Sequence, residues 1–428
     1  LPKLGQPDPA WLVGDAAMQY RTAPMLGDCG DRSVMDKQVG RSDGRRPVAF
    51  YTKTCFSAGA GLFSQELVRG MVDVGGTVLF VAPPAHDRRF ETPRTGLIRF
   101  RSREELTSGP RWKRALSSVV RAVTGAIGCL KARRRTRVLI VTIPDPMLFA
   151  LPILAMLRLA GMRIIYIVHD PLPHAWKLPH RLRWLENGAF AAVYRLSSGL
   201  VVLSESARGA LVSAYRLSDR PVAVIEHGVF VLGAPSPAPG DGILLLFGTI
   251  RRNKGVREAI EGVILARERG ARVRLIIAGA PDPVEPDYWA GCESLARAHP
   301  EAIVLEIGYV ADERLNALVA LCDAFLLPYR DFHSQSGVAM VAASNSRAAI
   351  ASRAGGIGDL IADGLAAVPV EAPVDGIAVA DAIVTFAATP IAEWNARAAA
   401  YRAKTIESRA WPVIGAQYLE FAARIDAA

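Results

Sequence analysis

The stretch Ile243–Gly255, ILLLFGTIRRNKG, constrains the fold of this chain more than any other. Five successive apolar residues, Ile243–Phe247, suit a strand covered on both faces, as in a parallel sheet held between helices. Gly248 breaks the run, and a basic loop leads into the helical pattern Val256–Arg267. Backbone at Gly248 can approach a ligand closely, and the following helix aims free N–H groups and a positive dipole end at the same place. Arg251, Arg252 and Lys254 add mobile cations. Two readings are open on these residues: a solvated basic turn, or a site for a phosphorylated ligand, most simply a diphosphate.

The same strand–helix alternation runs through the rest of the chain. In the first half strands are expected at Pro47–Thr52, Val78–Ala82, Val138–Thr142, Arg163–Val168, Leu200–Leu203 and Val222–Ile225. The Gly/Pro-rich segment Gly233–Gly242 reads as a linker. The pattern then restarts, with strands at Ile243–Phe247, Val273–Ala278, Ile303–Ile307, Ala324–Leu327, Ala348–Ala351 and Ala367–Val370. The expectation is an α/β protein with two Rossmann-like, doubly wound parallel-sheet domains facing each other across a cleft. Its parts are a mostly disordered leader (1–44), an N-terminal domain (45–235), a C-terminal domain (236–407) and a last helix (408–428) crossing back to the first domain.

Charge divides along the same line. Residues 45–235 carry a net +16, residues 236–428 a net −5 and the leader −1, within a total of +10. A basic half joined to a mildly acidic one implies faces that meet different partners. Five scattered cysteines without a C-x-x-C pair support neither a disulfide framework nor a zinc site and fit a reducing compartment. Met147–Val168 is interrupted by Pro152, Arg158 and Arg163, so no membrane span is expected there or elsewhere, and no secretory signal pattern is visible. D-x-D and H-E-x-x-H are both absent, and SAGAGLFSQ lacks the third glycine of a nicotinamide fingerprint.

Residues Arg111–Arg137 combine a helix-period apolar stripe (Trp112, Leu116, Val119, Val120, Val123, Ile127, Leu130) with nine cations. One reading is an ordinary core helix whose last-turn cations complement its dipole. The other is a surface that rests on anionic lipid. No nucleic-acid-binding fold accompanies these cations, and nucleic acid is not expected as a partner.

An ordered set of motifs ties these pieces together: SAGAG at Ser57–Gly61, VHDPLPH at Val168–His174, EHGV at Glu226–Val229, FGTIRRNKG at Phe247–Gly255, IIAG at Ile276–Gly279, the block Gly308–Ala343, and RAGGIGDLIADG at Arg353–Gly364. In order and spacing the set resembles the GT-B glycosyltransferases, specifically the family 4-like (group 1) retaining enzymes of bacterial polysaccharide and glycolipid synthesis. The resemblance implies a hexosyltransferase that moves a hexose or uronic acid from a UDP- or GDP-linked donor to a lipid-linked or oligosaccharide acceptor. It implies no cofactor and no metal, and a cytoplasmic, peripheral location at the inner face of the membrane. UDP-glucose, UDP-glucuronate and GDP-mannose are the expected donors.

By the same resemblance Gly248, Arg251, Arg252 and Lys254 face the donor phosphates. Ser334, Gln335, Ser336, Gly337 and Val338, a Q-S-G-V loop entering a helix, face the donor sugar and nucleoside. His169 is the candidate catalytic residue: a lone histidine at a strand end is more often structural, but its place within this motif set reverses that reading. Gly59, Gly61, Asp170 and His174 line the acceptor side. The chain departs from the family at three points. Ser334 and Ala342 stand where two glutamates are usual, and Thr249 replaces the arginine after the strand glycine. The lost glutamates keep a non-catalytic sugar-nucleotide or glycan binder in view. A nucleotide-sugar epimerase is a second alternative, since such enzymes share the two-domain architecture, although they typically need acidic residues in the cleft and this chain shows few there.

Overall fold

The computed structural model describes residues 46–53, 58–83, 96–102, 110–142, 147–172 and 179–428 (the side chains of 58–60 and 111 apart). The expected leader and His174 lie outside this set. The N-terminal domain contains β1 (Val48–Thr52), α1 (Ala58–Asp73), β2 (Val78–Ala82), β3 (Leu97–Arg101), α2 (Arg111–Ala132), β4 (Val138–Thr142), α3 (Met147–Leu159), β5 (Arg163–Val168), α4 (Arg183–Leu196), β6 (Gly199–Val202), α5 (Glu205–Tyr215) and β7 (Val222–Val224). Its seven strands are all parallel, in the order β3-β2-β1-β4-β5-β6-β7.

The C-terminal domain repeats the plan. Its elements are β8 (Ile243–Phe247), α6 (Val256–Glu268), β9 (Arg274–Gly279), α7 (Pro286–Arg297), β10 (Ile303–Ile307), α8 (Asp312–Leu321), β11 (Ala324–Leu327), α9 (Gly337–Ser344), β12 (Ala348–Ser352), α10 (Gly356–Ala362), β13 (Ala367–Val370), α11 (Gly376–Ala388), α12 (Ile391–Arg409) and α13 (Trp411–Ala427). Its six parallel strands run β10-β9-β8-β11-β12-β13. Both sheets reverse direction of growth at a central pair, β1/β4 and β8/β11, and ligands of such sheets bind outside the strand carboxyl ends at that point.

The structure adds one strand that periodicity does not predict, β3. Its sequence LIRFR alternates apolar and cationic residues, and as an edge strand it is only half-buried. Gly59 and Gly61 lie in the first turn of α1. Helix α2 departs from the expectation that nothing is long and apolar enough to span a membrane: Trp112–Ala132 meets that test by length and composition.

One face of the N-terminal sheet is covered by α2–α5, the other by α1 together with α13. The chain therefore returns at its end to complete the first domain. The last helix, expected over 408–428, is α13: the chain breaks from α12 at Ala410, which is extended (φ −58°, ψ 143°), and Pro412 opens α13. Helix α13 crosses α1 with backbones nearly touching: a Cβ on Gly70 would lie 2.0 Å from the Trp411 carbonyl oxygen, and one on Gly415 2.4 Å from the Gly70 carbonyl carbon. The linker Gly233–Gly242 is fixed onto the C-terminal domain. Asp323 accepts the Gly240 and Gly242 N–H groups at 2.6 Å each, and Asn395 accepts that of Ala238 at 2.7 Å.

Because backbone cannot yield as a side chain does, Gly70→Ala should force α13 off α1. A loss of about 1–3 kcal/mol is expected, read as a lower urea midpoint with unchanged slope. An unaltered midpoint would show that the crossing does not hold the domain together.

Candidate functional site

The C-terminal wall of the cleft is built by two loops that meet at the β8/β11 switch point. After β8, Gly248 adopts φ +114°, and its carbonyl oxygen lies 1.9 Å from where a Cβ on Gly279 would sit. Gly255 turns the chain into α6 at φ +65°, with Pro328 so close that a Cβ would fall 1.9 Å from its carbonyl oxygen. The Arg330 N–H donates to the Asn253 carbonyl at 2.9 Å, completing the junction. Val338, in the first turn of α9, comes within 3.6 Å of the Cβ position of Gly248. The glycine turn and the helix start, 90 residues apart in sequence, thus share one place.

Of the three cations in the first loop, only Lys254 faces no carboxylate among the described residues. Its Nζ lies 3.7 Å from the ring centre of Tyr329 and 4.7 Å from that of Phe332. Aromatic faces hold an ammonium group without neutralising it. Arg251 pairs with Asp282 at 2.5 Å, and Arg252 sits 3.8 Å from Glu285 and over the ring of Tyr288 at 4.7 Å. Both guanidinium groups are already engaged by the loop after β9.

The second loop is buried although polar. Ser334, Gln335 and Ser336 are at most 8% exposed. The Ser336 hydroxyl caps α9 by accepting the Ala339 N–H at 3.2 Å, leaving those of Gly337 and Val338 without a partner among the described residues. Both polar atoms of the Gln335 carboxamide are likewise unpaired. A buried polar group without a partner costs about 1–3 kcal/mol, so this loop is built for a polar ligand to complete.

The N-terminal wall presents the ends of β4 and β5. His169 directly follows β5, with Nε2 2.6 Å from the hydroxyl of Thr142 at the end of β4 and the Phe63 ring edge-on at 5.0 Å. Burial lowers the imidazole below the ordinary histidine range, against the opposing pull of the Asp170 carboxylate, so the ring is neutral near pH 7. The two walls touch. The Ser334 hydroxyl donates to Asp170 Oδ1, and Asp359 Oδ2 of α10 accepts the Ser206 N–H at 3.0 Å. The structure therefore brings His169 and Asp170 opposite the Ser334–Val338 loop, with Gly61 buried in α1 on the same wall.

His227 of the EHGV motif is structural. It packs among Phe63, Phe230 and Trp411, with Nδ1 2.7 Å from the Gly228 carbonyl oxygen. Several contributors escaped the sequence: Thr142 as the partner of His169, Tyr329 and Phe332 as the seat of Lys254, and Asp359. Only the aromatic pair flanking a loop after a buried strand left any one-dimensional trace.

Two parallel-sheet domains with a polar cleft at their switch points define the GT-B architecture. Residues 57–231 match the family described as Glycosyltransferase Family 4, and residues 241–389 the family described as Glycosyl transferases group 1. The chain is a glycosyltransferase of GT-B type, with one family domain on each side of the cleft. Among solved structures it is similar to sucrose-phosphate synthase from Thermosynechococcus elongatus, with 16% identity and a TM-score of 0.68 over 90% of this chain and 100% of that one. It is also similar to Anabaena Alr3699/HepE in complex with UDP and glucose, with 16% identity, a TM-score of 0.64 and coverage of 89% and 100%. WaaG, a glycosyltransferase involved in lipopolysaccharide biosynthesis, shares 14% identity with a TM-score of 0.61 over 88% and 99%. At these identities the likeness is one of fold. No curated protein sequence matches the chain.

Burial also lowers His227, to about 4 from an ordinary 6.5. The unfolded chain binds a proton at this imidazole below about pH 6.5 and the native state does not, so stability falls as pH drops through that value towards 4 and levels off below it. The share of His227 is on the order of 3 kcal/mol. Denaturant titrations of the chain and of His227→Phe at pH 7 and pH 4.5 should show a smaller acid loss in the variant. Equal losses would place the acid sensitivity elsewhere.

Proposed function

We propose that this glycosyltransferase moves a hexose or uronic acid from a nucleoside-diphosphate sugar to a lipid-linked or saccharide acceptor, with retention of anomeric configuration. Its setting is bacterial exopolysaccharide or glycolipid synthesis, on the cytoplasmic side of the membrane. The observation that carries the reading is Lys254. An un-neutralised ammonium, seated on two rings at the junction of the glycine turn and the start of α9, is a receptor for phosphate oxygens. The Anabaena protein with UDP-glucose is a precedent for such a donor in this fold.

The bond from the anomeric carbon to the β-phosphate oxygen breaks, and the acceptor oxygen forms a new bond to that carbon. The acceptor hydroxyl gives up its proton to the β-phosphate oxygen of the departing nucleoside diphosphate. Charge collects on the β-phosphate as the bond lengthens. Lys254 and the free N–H groups of Gly337 and Val338 oppose that charge, which lowers the barrier more than it tightens ground-state binding. Neutral His169, its Nε2 tied to Thr142, offers the remaining ring nitrogen to the sugar. Asp170 reaches across to Ser334, one of the two positions from which the family's carboxylates are missing, and restores a carboxylate there from the opposite wall. No metal ion is part of this scheme.

A thermal-shift series with UDP, GDP, dTDP and their common sugars tests the donor site. A ligand at about 100 times its Kd adds about 2.7 kcal/mol of stability. One nucleotide should give a clear shift, and Lys254→Ala should remove it and lower turnover by about 10²–10³-fold. Absence of any shift together with absence of sugar transfer would sink the reading. Asp170→Asn should reduce kcat by about tenfold or more while leaving the UDP or GDP shift intact. An unchanged kcat would remove the carboxylate from the mechanism.

A further inference from the structure

Helix α2 is packed inside out. Apart from Arg121, its buried residues are all small: Ala122, Gly125, Ala126, Gly128, Cys129 and Ala132. They let the helix ride low: a Cβ on Gly125 would fall 2.7 Å from the Tyr51 ring, and one on Gly128 2.7 Å from Val81. Its large apolar side chains point the other way. Trp112 is 64% exposed, Val123 50% and Ile127 46%, with Leu116, Val119 and Leu130 in the same outward row. A core helix would bury this row.

The neighbouring helices extend the surface. Helix α2 packs against α3, and α3 against α4. Phe149 (60%) and Leu159 (89%) project from α3, and Trp184 (68%) from α4. Soluble monomers rarely leave so many large apolar groups in one region unless another phase or partner covers them. Around them lie the exposed cations Lys113, Arg114, Lys131, Arg134, Arg158 and Arg181. The one acidic residue in the three helices, Glu186, is buried.

That charge pattern selects the occupant. A second copy of this chain would set one cationic rim against an identical rim, with no exposed carboxylate in these helices to answer it. An apolar floor ringed by cations instead complements the acyl boundary and anionic headgroups of a bilayer. We propose that the α2–α3–α4 face seats on an anionic membrane surface, lying in its interface without crossing it.

The topology orients the docked molecule. In a parallel sheet the helix after each strand starts at the carboxyl edge, and Trp112, Phe149 and Trp184 all sit in the first turns of their helices. Three aromatic side chains, the type favoured at the headgroup level, thus mark the same sheet edge that carries His169. The cleft opens beside the membrane, where a lipid-linked acceptor is within reach. This last step rests on the acceptor reading above, whereas the docking itself does not.

Co-sedimentation of the full chain with phosphatidylcholine vesicles, with or without about one-third phosphatidylglycerol, tests the docking. The chain should bind the anionic vesicles. Trp112→Ser combined with Leu116→Ser, Val123→Ser and Ile127→Ser should weaken binding by about tenfold or more. Because these side chains are exposed, the variant should keep its circular-dichroism melt and its nucleotide thermal shift. No binding by the native chain would overturn the proposal, and so would undiminished binding by a folded variant, which would leave charge alone at work. A native dimer that the variant converts to monomer would assign the face to a second copy. Vesicle binding without any nucleotide shift would uphold the docking and reject the donor site.

Discussion

Arg409 holds the two domains in one molecule. The chain passes between them twice, outward through Glu226–Val229 and back through Arg409–Trp411, and this buried guanidinium sits where the passages meet. It makes a bidentate bond to Glu226 at 2.7 and 2.8 Å and reaches Asp363 at 3.2 Å and the Tyr401 hydroxyl at 3.1 Å. Burial works against the charge on Arg409, but the Glu226 bonds and its neighbours raise its proton affinity overall. Burial likewise pushes the Asp363 carboxyl up, and Lys404, Arg409 and Tyr401 together outweigh it and bring the group below its ordinary value. A buried charge of this kind is tolerable only with all partners present, so the node resists any geometry but its own. The Arg409 carbonyl also accepts the Val229 N–H at 3.1 Å, and Trp411 Nε1 donates to the Val229 carbonyl at 2.8 Å.

From that node a run of rings reaches the cleft. Trp411 packs on Phe230, His227 and Phe63, and Phe63 packs on His169. His169, proposed above to face the donor sugar, is therefore in direct contact with the rings packed around the Arg409 node. At the far side of the cleft the Asp170–Ser334 and Ser206–Asp359 contacts join the walls directly. The first of these contacts sets a carboxylate of one domain on a loop of the other, at Ser334.

The two halves of the molecule use charge differently. In the C-terminal half, carboxylates on the loop after β9 take up Arg251 and Arg252, so that Lys254 is the one cation of its loop facing no carboxylate among the described residues. In the N-terminal half the cations of α2–α4 have almost no exposed acidic residue near them in sequence and surround an apolar surface. The charge asymmetry of the chain is thus an asymmetry of surfaces.

Sequence alone determined the alternation of buried strands and helices, the restart after the linker and the meeting of glycine turns with helix starts. Those features are local, since period, glycine and cap residues act within a few positions of one another. It did not determine β3, whose half-buried edge position weakens the apolar signal. It could not choose between the two faces of α2. Periodicity reports that large apolar residues share one face, whereas small residues opposite them can pack just as closely, and only the sheet beneath shows which face was taken. The partnerships of Lys254 with Tyr329, His169 with Thr142, Asp170 with Ser334 and Arg409 with Glu226 were likewise decided by tertiary structure. Each joins residues separated by tens to hundreds of positions, and a hydrogen bond or an ion pair depends on distance in space, to which order along the chain gives no measure.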